Sequence, residues 1–164
     1  MLYSSAELSK ILKRLNSEYY TVSEKESELS CFVAAIDENI EDVRPDYDYE
    51  ETQKNIEVLQ KKIIKIKHSL NIFNTSTILP GFDITIDQAL VYMPFLTKRI
   101  YTLDSMSNKS SKTRRINGNF IEYTYTNYDT EKAKKDYERL SDILEKLQLA
   151  LDKINQEKLI ELDI

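Results

Sequence analysis

Apolar residues in the first part of the chain fall at Leu8, Leu12, Leu15, Tyr19, Val22, Leu29, Val33, Ile36 and Ile40, stepping by four and three. That spacing predicts a heptad seam along one long helix. Glu26 interrupts it, a charge where a core side chain is expected. Such a residue either fixes register at some cost in stability or snorkels outward to water or a partner's lysine. Ser4 or Ser5 can cap the start, with Glu7 or Leu8 following, and Pro45 is expected to end the helix, its ring also biasing Arg44 away from helical geometry.

A second seam runs through Ile56, Leu59, Ile63, Ile66, Leu70 and Phe73. The run from Asn71 to Phe82 holds Asn74, Thr75, Ser76, Thr77, Pro80 and Gly81, and reads as a loop. Thr85 and Gln88 then form a capping-box pattern opening a third helix, with Ile86, Leu90, Met93 and Ile100 on its apolar side. Pro94 lies inside that pattern, where proline costs ~3 kcal/mol, so the helix either kinks there or begins later.

Residues 105–113, rich in Ser, Asn and Lys, read as a mobile connection. Asn117-Gly118 is a strong hairpin-turn signal of type I′, and Phe120 to Tyr128 alternates, with Ile121, Tyr123 and Tyr125 on one face and Glu122, Thr124 and Thr126 on the other. A lone hairpin is marginal, so it is expected to lie on the helices or pair with another chain. The last helix is capped by Asp129 or Thr130 and carries Ala133, Tyr137, Leu140, Leu144, Leu147, Leu151 and Ile154; Lys158 breaks this seam, and Leu159 and Leu162 continue it out of phase.

The expected fold is therefore mainly α: an elongated antiparallel helical bundle or coiled coil of about four helices, with one small β-hairpin before the last helix. Residues 1–164 read as one domain. At 1.5 Å per residue the first helix could run ~55 Å and the third ~33 Å, so the long helices would overhang. A homodimer is expected to cover the exposed seam.

Composition narrows the function. Two glycines far apart, Gly81 and Gly118, allow no glycine-rich phosphate cradle. One cysteine, Cys31, and one histidine, His68, cannot build a Cys/His zinc site or a disulfide framework. A di-iron bundle is excluded as well, since position 65, three before His68, is lysine rather than glutamate. No metal, cofactor or catalytic residue is assigned. Cys31 reads as a small apolar filler and His68 as a helix-surface residue without a task. The longest apolar run, Cys31 to Ile36, is far short of a membrane span, and the chain reads as cytoplasmic.

A net charge of −5 argues against a protein that coats nucleic acid as a whole, but the charge is uneven. Residues 37–58 are acidic, whereas Lys98, Arg99, Lys109, Lys112, Arg114 and Arg115 form a basic run. Lys109, Lys112, Arg114 and Arg115 are the candidate anion or nucleic-acid contacts, and Phe120, Tyr123 and Tyr125 could stack bases. The preferred reading is plainer: the bases answer the acidic turn and the tyrosines pack their rings on helices. The polar cluster Asn71, Asn74, Thr75 and Ser76 could hold a small ligand, but capping and turn formation explain it without one.

From about Ile63 to Gln156 the chain resembles a family of small bacterial helical proteins of unestablished activity, some labelled septicolysin. The shared features are Leu70-Asn71, Asn74-Thr75-Ser76, Gly81 leading into Thr85-Ile86, Ala89-Leu90, Leu96, Arg114 before the strand segment, and Ile154-Asn155 near the end of the last helix. The sequence departs from the family at Met93-Pro94 and at Gln156, where the family has a tryptophan. The resemblance implies a long helical hairpin with a small β element and self-association; the label implies membrane lysis. Taken together, these features point to a non-enzymatic interaction or scaffold protein, self-associating through coiled-coil seams, with an unknown protein partner. A nucleic-acid-binding accessory factor is the alternative, and a membrane-active protein stands below both.

Overall fold

The chain opens with β1 (Leu2–Ser4) and enters α1 (Ser5–Leu29) through a capping box. Ser4 Oγ accepts from the Glu7 backbone N–H at 3.2 Å, and the Glu7 carboxylate accepts from the Ser4 N–H at 2.8 Å. The Ser4 N–H, and after it the Ser4 hydroxyl, which donates to the same carboxylate at 2.9 Å, hold the Glu7 carboxyl below its ordinary value. The computed structural model describes residues 1–163.

After α1 come α2 (Ile40–Val43), α3 (Tyr49–Ser76), α4 (Ile86–Ser107), β2 (Lys112–Asn117), β3 (Phe120–Tyr125), α5 (Thr130–Glu157) and β4 (Leu159–Glu161). The protein is mainly helical, with two small antiparallel sheets, β1–β4 and β2–β3. Contacts along the chain divide it into two compact units, Met1–Phe73 with Asn155–Ile164, and Asn74–Ile154.

In the first unit α1 and α3 run antiparallel. Gln60 donates to the Tyr19 hydroxyl, and Gln53 donates to the Glu26 carboxylate, so seven residues forward on α1 match seven back on α3. Between the helices lie buried Leu8, Leu15, Leu59, Ile63 and Ile66, joined by Leu162 from beyond β4. β4 pairs with β1, and the Leu162 N–H donates to the Met1 carbonyl at 2.9 Å. Lys158 breaks the last seam because the chain leaves α5 there, and Leu162 reaches the core from the segment that follows the strand. The sequence pattern carries no sign of this sheet.

Several expectations for α1 and α3 are corrected. The first helix ends at Leu29, far short of Pro45; Val33 and Ile36 are almost wholly exposed, and Cys31 is an exposed thiol rather than an apolar filler. Pro45 ends the short α2 instead, with Arg44 extended at ψ 123°. The first helix therefore has 25 residues and falls well short of its expected ~55 Å. Nor does the loop begin at Asn71: burial of Phe73 carries α3 to Ser76, so Asn71, Asn74, Thr75 and Ser76 are helical.

In the second unit Thr85 and Gln88 form the expected capping box at the start of α4. Before it, Ile78 and Thr85 pair across a tight turn that carries Gly81 and Asp83 at positive φ and buries Leu79. The helix runs through Pro94, which is exposed. Its buried side is Ile86, Ala89, Leu96 and Leu103, with Met93 and Ile100 half-buried between them, whereas Leu90, expected on that side, faces outward. Asp129 caps α5, accepting from the Glu131 and Lys132 N–H groups, and every expected α5 seam position in this unit is buried or half-buried.

Candidate functional site

The β2–β3 hairpin gathers the candidate residues. α4 extends to Ser107 and β2 starts at Lys112, so the expected mobile connection shrinks to residues 108–111, which carry Lys109. Register pairs Lys112 with Tyr125, Arg114 with Tyr123 and Ile116 with Ile121. Directly opposed residues share a face, so Lys112, Arg114, Tyr123 and Tyr125 stand together. Arg115, Phe120 and Glu122 stand on the opposite face with Thr113 and Thr124. The candidate bases and aromatics are thus split between two faces.

The turn is built one residue later than its sequence signal. Asn117 pairs with Phe120, leaving Gly118 and Asn119 as the central residues, and Gly118 has φ 60°. Positive φ at the first central residue alone is a type II′ turn, which places glycine there.

Every residue of both strands is exposed. The tyrosines do not pack on helices, contrary to the preferred sequence reading. Lys112 Nζ sits 4.0 Å from the centre of the Tyr123 ring and 5.5 Å from that of Tyr125, while the two rings lie 6.4 Å apart, tilted by 44°. The lysine is held by the negative faces of the rings. On the other face Lys109, Thr113, Arg115, Thr124 and Thr126 line a hollow of about 350 Å³.

A second exposed surface went unread in the sequence. The outer face of α4 presents Leu90, Val91, Phe95 and Tyr101, the last two 66% and 78% exposed. Pro94, Thr97 and Lys98 lie among them. The available signal was an excess of apolar residues: the three-four stripe from Ile86 to Leu103 already satisfies the buried side, so the remaining apolar positions belong elsewhere.

The other candidates are placed without forming a site. Glu26, the interrupted seam position, accepts from the Tyr47 hydroxyl at 3.4 Å as well as from Gln53, neither a lysine. Desolvation, then the Glu26 charge, pushes the Tyr47 hydroxyl above its ordinary value. His68 is exposed on α3. Among the described residues no group of three or more His, Cys, Asp or Glu side chains could hold a metal ion, and no helix is long and apolar enough to cross a membrane.

No family model matches the chain, and no curated protein does so either. Among solved structures, the chain is similar to the crystal structure of a functionally unknown conserved protein from Corynebacterium diphtheriae, at 14% identity and a TM-score of 0.62, covering 98% of this chain and 100% of the other. That likeness establishes a shared fold.

Proposed function

We propose that the protein is a non-enzymatic interaction protein that self-associates as a homodimer through the outer face of α4. The observation that carries this reading is the exposure of Leu90, Val91, Phe95 and Tyr101 opposite an already complete buried stripe. A helix apolar on both sides is ordinarily buried on both. Covering these side chains would bury on the order of 500 Å² per copy, about 1,000 Å² in a pair, the lower bound of a specific interface.

Charge placement supports a two-fold pair. Asp87 and Lys98, both exposed, lie about three turns apart along the middle of this face. An antiparallel pairing centred near Met93 sets Asp87 of each copy against Lys98 of the other, the self-complementarity that a two-fold interface requires. The matched steps of seven between α1 and α3 support reading the helical framework as an antiparallel coiled-coil scaffold.

Sedimentation velocity tests the reading. The wild-type protein is expected to be dimeric at micromolar concentration, and Phe95→Asp monomeric. Lys98→Asp weakens the dimer, and adding Asp87→Lys restores it. A wild-type monomer at about 100 µM, a concentration at which even a 10 µM dimer would be mostly assembled, overturns the proposal.

A further inference from the structure

We infer that the Lys112–Arg114–Tyr123–Tyr125 face of the β2–β3 hairpin binds single-stranded nucleic acid. This does not depend on self-association, since a different surface carries it. Three observations converge. Every residue of the face is exposed, and only the mobile Lys112 side chain lies over the Tyr123 ring, so nothing but that side chain has to move to admit a ligand. Cations and rings stand in pairs across the strands, Lys112 opposite Tyr125 and Arg114 opposite Tyr123. The hairpin's one carboxylate, Glu122, lies on the other face beside Arg115, so nothing acidic on the hairpin competes with an anion for Lys112 and Arg114.

The pairing of ring with cation selects the ligand. A nucleotide strand offers a planar base and an anionic phosphate in regular alternation, and base stacking on aromatic side chains is indifferent to sequence. An acidic peptide would satisfy Lys112 and Arg114 but present nothing planar to the tyrosines. A duplex keeps its bases stacked inside, out of reach of the rings. The ring separation of 6.4 Å is nearly twice the ~3.4 Å rise of a stacked strand, so each tyrosine takes its own base from a drawn-out chain. Lys112, which covers Tyr123 in the free protein, swings from the ring to a phosphate as the base takes its place. The net charge of −5 keeps this binding weak, and two cations give it a modest dependence on salt.

Fluorescence anisotropy with labelled oligothymidine, oligouridine and a matching duplex, at about 50 and 200 mM salt, tests the inference. Both single strands are expected to bind more tightly than the duplex; whichever binds better identifies the natural class. Lys112→Ala with Arg114→Ala flattens the logarithmic salt slope by about 0.7 per lost phosphate contact. Tyr123→Leu with Tyr125→Leu keeps the salt slope but weakens binding by about tenfold per ring. Arg115→Ala, on the opposite face, changes affinity less than twofold. All five residues are exposed, and circular dichroism confirms that each variant is folded. Absence of binding to either strand, an Arg115→Ala loss equal to that of the Lys112/Arg114 pair, or binding of polyglutamate in preference to oligothymidine overturns it.

Discussion

Gln53 on α3 donates its side-chain amide to the Glu26 carboxylate on α1, at the position where an apolar seam would otherwise close. The pair is half-buried, so its bond to a charged acceptor is worth about 1 kcal/mol, below the range for full burial. Gln53→Leu alone is expected to lower stability by that amount, because Glu26 keeps its charge and loses a donor. Replacing both residues by leucine completes the seam and gives a protein at least as stable as wild type. Urea denaturation of the single and double variants measures both.

The C-terminal segment is part of the first unit's core. Leu162 is buried among α1 and α3 residues, whereas Leu159 is largely exposed. Leu162→Ala should cost about 2–3 kcal/mol in chemical denaturation and Leu159→Ala less than about 0.5 kcal/mol. Equal effects would show that β4 does not seat Leu162 as described.

Acid weakens the start of α1. The Glu7 carboxyl titrates lower when folded than its ordinary value near 4.5, because it accepts from the Ser4 N–H and hydroxyl. A depressed folded value means that the cap's contribution is present above the unfolded value and lost as the pH falls through the folded one. The melting-temperature gap between wild type and Glu7→Ala is therefore expected to be full at neutral pH and to narrow below about pH 4.5.

Gly118 turns the hairpin in a conformation that L side chains rarely adopt. Gly118→Ala should cost about 1 kcal/mol in the hairpin, since the first position of a type II′ turn favours glycine. Both strands are exposed, so amide exchange in β2 and β3 reports the change while the global melting temperature stays fixed.

Much of the helical layout was legible from sequence. The Thr85–Gln88 box, the α5 seam and the alternation that sets Tyr123 and Tyr125 on one face follow from local patterns, and the structure has each, whereas the strand register is shifted by one from what a turn at Asn117-Gly118 implies. Periodicity misled at Val33 and Ile36. A seam says which side chains a helix would bury, not whether anything stands opposite. Another step of seven beyond Glu26 sets Val33 against residue 46, before α3 begins at Tyr49. With no facing helix to reward it, the chain leaves helical geometry at Ser30, and Asn39 caps a new turn. The basic-aromatic face was legible in its residues but not in its exposure, which depends on what the hairpin fails to touch. The outer face of α4 escaped notice because Leu90 fits a helical period on either side.

The pairing of β1 with β4 brings residues 1 and 162 within one hydrogen bond of each other. A cut in the exposed stretch around Val33 to Glu38 would therefore leave α1 held to the first unit by the β1–β4 pairing and the shared core. The pairing of α1 with α3, which the intact chain links through α2, would then stand without that covalent connection.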